Sequence, residues 1–179
     1  MYPQRSSREG TLMEHMQQSV IENRFLVGIH YKVPLSEIPT VFEPAYTALG
    51  DLFKKQGVAP AAHVAYYYEI SSGVIHMAPA FVVQPKDWAL MEAACGASDE
   101  AHYECLPSQV SGMTTWETPS TTAAFVEHRG SYSALPKVWS ELEKRVAECG
   151  EPGPLRWEEY MVMSEQEEER VTRLYWSYF

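Results

Sequence analysis

The chain has 179 residues, 45% of them apolar, and its 24 acidic against 14 basic side chains give a formal charge of -10 at pH 7. That is material for one compact domain or two small fused modules with a real core. The negative balance excludes a groove that tracks nucleic-acid phosphates, since such surfaces bind by neutralising phosphate charge and releasing its counterions.

In chain order, residues 1–22 read as a polar, flexible tail, with a short helix conceivable only around Leu12 to Met16. Arg5, Arg8, Glu9 and Glu14 interrupt any signal-peptide core, and no later run reaches the ~18 apolar residues that would cross a bilayer, so a soluble, cytoplasmic protein without a membrane partner is expected. A strand is predicted from Phe25 to Lys32, then Pro34 and a helix start at Ser36. Ile38, Val41, Phe42, Ala45, Ala48, Leu49, Leu52 and Phe53 recur at helical spacing until Gly57 stops them. Pro44 inside this stripe calls for a bend, or for a new helix with Pro44 in its first turn. Two strands, Val64 to Ile70 and Val74 to Val83, join through Ser71, Ser72 and Gly73, giving β, α, β, β.

After a connector, about 86–118, with a short helix at Trp88 to Ala94 and a strand at Gln109 to Trp116, the same order returns. A strand at Thr122 to Arg129 precedes a turn through Gly130 and a helix from Ser133 to Glu148, and strands at Arg156 to Met163 and Val171 to Tyr178 close the chain. "IPTVF" at 38–42 is echoed by "LPKVW" at 135–139, and Gly57 and Gly150 close the two helices. The pattern is an internal duplication of a βαββ unit, module one at about 24–85 and module two at about 119–179.

Two short motifs carry a resemblance. "HRGSY" at His128 to Tyr132 and "WEEY" at Trp157 to Tyr160, with one helix between them, resemble the His-x-Gly-x-Tyr and aromatic-Glu-x-Tyr strands of the gyrase-inhibitor-like (GyrI-like) family of small-molecule-binding domains. That family also supplies effector domains of multidrug-responsive transcription activators. "TRLYWSYF" is similar to its closing strand, with Arg173 and Ser177 where an acidic residue and a proline are usual. The resemblance covers about residues 24–179. It implies an α+β fold of two fused βαββ modules with pseudo-two-fold symmetry, antiparallel sheets forming a concave cleft and helices on the outer side. It also implies lipophilic or cationic ligands in that cleft and a pocket carboxylate at the position of Glu158.

Strand alternation sets Trp157, Glu159, Met161 and Met163 on one face and Glu158, Tyr160 and Val162 on the other. The first set is the more apolar, and is expected under the helices. The duplication matches Tyr160 with Tyr67 and Glu158 with Ala65, and Glu69 shares the parity of Tyr67 near a turn where water can reach it. Glu158 and Tyr160, with Tyr67, Glu69, Trp139 and Tyr132, form the candidate ligand-binding set. Without the motif, Glu158 reads as a surface residue beside Glu159, and Trp139 and Phe42, at equivalent helix positions, read first as core.

A carboxylate among rings has two uses: recognition of an organic cation, or acid/base chemistry with a pKa tuned toward neutrality. Some relatives of the resembled type are hydrolases that open the cyclopropane of DNA-alkylating natural products. By that resemblance Glu158 would activate water and Tyr160 or Tyr67 would bond the oxygen gaining charge. A single clear pocket carboxylate ranks binding first, with a partner-inhibitor of gyrase type as a third reading. His128 is expected to shape its turn through a backbone bond, Glu165, Glu167, Glu168 and Glu169 to form a solvated hairpin loop, and Trp88 or Trp116 to lie where a lid would be. Three cysteines without a CxxC pair argue against a disulfide framework, and Cys95, His102 and Cys105 lack the fourth ligand and spacing of a zinc site, so no metal and no cofactor is expected. The oligomeric state, monomer or dimer, is open.

Overall fold

A computed structural model describes residues 16–96 and 109–179. Its elements are β1 (Gln17–Ile21), β2 (Arg24–Pro34), α1 (Ile38–Gln56), β3 (Ala62–Ser71), β4 (Val74–Val83), α2 (Trp88–Gly96), β5 (Gln109–Thr118), β6 (Thr121–Arg129), α3 (Leu135–Cys149), β7 (Pro152–Val162) and β8 (Val171–Tyr178). The leading helix considered at Leu12 to Met16 lies almost wholly outside the described residues, as do His102 and Cys105.

Local chemistry accounts for the boundaries. Val41, Ala45, Ala48, Leu49, Leu52 and Phe53 form the buried stripe of α1, which ends where Gly57 takes a left-handed φ of 67° and donates its N–H to Lys54 O. Pro44 starts no new helix: α1 runs continuously from Ile38 through it, with Pro39 in the first turn. Ser72 and Gly73, with φ of 53° and 78°, make the tight turn between β3 and β4.

All eight strands form one antiparallel sheet in the order β1-β6-β8-β7-β3-β4-β2-β5. Within each module the first strand lies outermost, the third in the middle and the second innermost, so the modules meet back to back along β3 and β7. That seam pairs Ala65 with Glu158 and Tyr67 with Arg156. The fold is the α+β duplicated βαββ arrangement expected. No helix among the described residues is long and apolar enough to cross a membrane.

The helices share one side of the sheet. α1 and α2 pack with Val27, Ile29, Tyr67, Met77 and Tyr160, and α3 packs with Val126, Leu174 and Trp176, while Trp139 touches both clusters. On the other side Leu26, Val64, Tyr66, Trp157 and Tyr175 are buried without a helix over them. Curvature does this: Arg24 of β2 reaches Glu159 of β7 at 3.0 Å across two intervening strands, a span of roughly 14 Å in a flat sheet. The concave face holds a ladder of stacked rings, Phe125, Tyr175, Trp157, Tyr66 and Tyr68, and next to Tyr68 a His30–His76 pair at 3.0 Å.

Three expectations are corrected. The alternation along β7 is right but its sides are exchanged: Trp157 faces the helix-free side, and Glu158 and Tyr160 face α1 and α3, because stacked rings close the concave face without helices. The cleft of Glu158 therefore lies on the helix side, and the helices flank it instead of standing behind it. Residues 17–21 are not tail, since they pair with β6 as an edge strand. Trp116 is no lid over Glu158, because it packs against His30 on the opposite face, and Trp88 packs against Phe25 with its ring tilted, centroids 4.9 Å apart.

Neighbouring strands and the Trp116 ring close tightly over Gly28, where a Cβ would meet Pro79 O at 2.6 Å and the Trp116 ring at 2.7 Å. Gly28→Ala is expected to destabilise the protein by about 1–3 kcal/mol, as overpacking does. A thermal melt checks this, with Tm falling about 2–4 °C per kcal/mol for a domain of this size.

Candidate functional site

The middle of β7 sets Glu158 against Ala65 at the seam, and the small side chain opposite leaves room for a carboxylate. Glu158 is 3% exposed. α3 buries Leu135, Val138, Leu142 and Val146 in its own module, which turns the neighbouring Trp139 toward the seam. Its Nε1–H donates to Glu158 Oε1 at 2.7 Å. The hydroxyls of Tyr67 and Tyr160 donate to Oε2 at 2.8 and 2.6 Å. Three neutral donors thus hold one carboxylate, and among the described residues no cationic side chain forms an ion pair with it.

The electrostatics follow from burial. Loss of water raises the pKa of Glu158, and the bonds from Tyr160, Trp139 and Tyr67, with the nearby His128, offset this only in part. Burial and then the negative charge of Glu158 push the Tyr67 and Tyr160 phenols well above their ordinary value, so both remain donors.

Rings from both modules wall the site. Phe42 and Tyr46 of α1 meet Tyr160 edge to face at 6.0 and 6.2 Å, Tyr132 meets it at 5.8 Å, and Trp139 meets Tyr67 at 5.9 Å. The guanidinium of Arg170 lies over Tyr132 at 4.7 Å. His128 bonds Ser131 O at 2.9 Å beside Gly130, whose φ is 114°, so it shapes the turn that presents Tyr132.

Of the candidate residues, the structure brings Glu158, Tyr160, Tyr67, Trp139 and Tyr132 together. Glu69 stands apart: pairing between β3 and β4 turns irregular between Tyr67 and Ile70, and Glu69 is exposed, acting on His76 instead. Trp139 is more than core, since its indole bonds the carboxylate. Tyr46 escaped the sequence reading, although it stands four residues after Phe42 on the same helical face. Its hydroxyl donates to Val64 O at 2.6 Å, fixing its ring beside Tyr160. Arg170 escaped because nothing local in the sequence ties it to Tyr132. The acidic hairpin is exposed as expected, with Glu167 paired to Arg170 at 3.4 Å. Among the described residues no group of three or more His, Cys, Asp or Glu side chains gathers to hold a metal.

No family profile and no curated protein matches the chain by sequence. Solved structures do match by fold. EcmrR, in a complex with DNA, aligns with a TM-score of 0.66 at 15% identity over 95% of this chain, which spans 59% of the length of that protein. The EcmrR C-terminal domain alone aligns at 0.63 and 15% identity, covering 91% of this chain and 96% of that one. SAV2435 bound to tetraphenylphosphonium aligns at 0.64 and 13% identity, over 91% and 93%. The fold is the GyrI-like effector-binding fold. A hydrolase from Listeria innocua shares it, at a TM-score of 0.58 and 11% identity over 90% of both chains.

Within the GyrI-like fold, the seam of β3 and β7 gathers one poorly solvated carboxylate, two phenols and an indole. Such a group favours either a cation brought to it or its own protonation. A carboxyl whose folded pKa is raised contributes stability that is present below its unfolded pKa and lost as pH rises through the folded value. Glu158→Gln keeps an oxygen for Trp139 and stays neutral. It is therefore expected to raise the Tm of the ligand-free protein by a few degrees at pH 7, on the order of 2–4 °C per kcal/mol, with the difference shrinking toward pH 4. Paired melts of the two proteins across pH check this.

Proposed function

We propose that this protein binds lipophilic organic cations at the seam between its two modules, with Glu158 as the charge anchor. In this reading Tyr160 and Tyr67 hold the carboxylate in place, and Trp139 and Tyr132 offer ring faces to the ligand. The observation that carries it is the state of Glu158: 3% exposed and bonded only by neutral donors among the described residues. Burial of a charge without a counter-charge is costly, and a ligand cation supplies what is missing. The surrounding rings add attraction for a cation and area that tolerates varied shapes. The tetraphenylphosphonium bound by SAV2435, on the same fold, belongs to this ligand class. The modules, about 24–85 and 119–179, are then the two halves of one binding unit.

Titration calorimetry with tetraphenylphosphonium tests the reading. Wild type is expected to bind, and Glu158→Gln to lose on the order of tenfold or more in affinity, as for a desolvated charge pair that loses one partner. Because burial raises the pKa of Glu158, affinity should climb as pH rises through that pKa and the carboxyl ionises. Equal affinity in both proteins at every pH would contradict it.

The same carboxyl supports a second reading, favoured by its raised pKa. As a hydrolase of cyclopropane-bearing natural products, Glu158 would take a proton from water while the water oxygen attacks the ring carbon. The breaking C–C bond would pass its electron pair to a conjugated carbonyl oxygen, to which Tyr67 or Tyr160 would donate. Appearance of a hydrated product with wild type and not with Glu158→Gln, followed by mass spectrometry, would decide for this reading.

A further inference from the structure

The ring nearest solvent at this site already carries a cation. Tyr132 is 36% exposed, whereas Phe42, Tyr46 and Trp139 around the same site are half-buried. Its edge contact with Tyr160, at 5.8 Å, places it one ring away from the Glu158 carboxylate. The Arg170 guanidinium lies 4.7 Å from the Tyr132 centroid, and its side chain is 19% exposed, which limits screening by water.

Arg170 is held there from the hairpin between β7 and β8. Its Nε donates to Ser164 O at 2.7 Å, its Nη1 pairs with Glu167 at 3.4 Å, and its carbonyl accepts from Gly130 N at 3.0 Å. The last bond ties this hairpin to the turn before α3 that carries Tyr132. Burial raises the Tyr132 phenol above its ordinary value and the guanidinium over it offsets part of this, while among the described residues the guanidinium forms its ion pair with Glu167 and none with Glu158.

We infer that Arg170 is a resident cation that competes with the ligand for the face of Tyr132 and thereby sets the selectivity of the site. The inference rests on the cation-binding reading of Glu158. A ring face attracts a cation through its negative quadrupole, and a second positive group approaching the same face meets like-charge repulsion. An arriving cation therefore displaces the guanidinium or binds less tightly beside it. Glu167, 60% exposed and already a partner, receives the guanidinium when it leaves the ring. A neutral ligand of the same shape must also displace the guanidinium but meets no charge repulsion, so Arg170 narrows the advantage that Glu158 gives to cations and reserves the site for those whose own rings make up the loss.

The test compares tetraphenylphosphonium with a neutral analogue, triphenylphosphine oxide, on wild type, Arg170→Met and Arg170→Lys by titration calorimetry. Arg170→Met is expected to bind the phosphonium about two- to fivefold more tightly, the range of an exposed cation–ring contact, with a smaller gain for the neutral analogue. Arg170→Lys, which keeps the charge, is expected to stay close to wild type. Equal tightening for both ligands, equal tightening in Met and Lys variants, or no change in a wild type that binds the cation would overturn this inference and leave the Glu158 reading standing. No binding of the cation by any of the three proteins would overturn both.

Discussion

One carboxylate at the junction of two modules sets the terms for the rest of this structure. Glu158 is removed from water without a cationic side chain paired to it among the described residues, and it is kept ionisable by two phenols and an indole. Each donor comes from a different place: β3 of module one, α3 and β7 of module two. The donors can converge only because the modules meet along their inner strands. Ala65 opposite Glu158 leaves the space, and the helix face on which Trp139 lies is fixed by the packing of Leu135, Val138, Leu142 and Val146.

The two sides of the sheet divide the work. On the helix side the rings surround a charge, and several keep partial exposure. On the concave side the rings stack on one another, from Phe125 to Tyr68, and Trp157 and Tyr66 are buried without a helix over them, with Arg24 lying over the Trp157 ring. A curved sheet with its own aromatic filling needs no second layer of helices, so α1 and α3 are free to flank the seam. Stability resides in the stacked face and the module cores. The costly electrostatics are confined to the seam, where a buried carboxylate is held by neutral donors without an ion-pair partner among the described residues.

Much of this was legible in the sequence. The β, α, β, β order appeared twice because helical and alternating periodicities are distinct and because Gly57, Gly73 and Gly150 punctuate them. The short motif around Glu158 singled out the carboxylate that the structure buries at the seam. Three things were not legible, each for a physical reason. Which face of β7 meets the helices was misread because both faces are rich in large side chains, and hydrophobicity does not separate rings that stack from rings that line a cleft. β1 was missed because an edge strand with the sequence Gln17–Ile21 has mostly exposed side chains and little alternation. Glu69, Tyr46 and Arg170 were misjudged or missed because their placement depends on a bulge, a helix face and a hairpin that join only in three dimensions.

The most direct test of the account is to measure the ionisation of Glu158 itself, by carbon-13 NMR of its side-chain carboxyl with Glu158→Gln to assign the signal. Burial of Glu158 predicts a titration midpoint above the ordinary glutamate range in the free protein and a downward displacement when tetraphenylphosphonium is added, since a bound cation favours the charged form. A midpoint in the ordinary range that the cation leaves in place would contradict it.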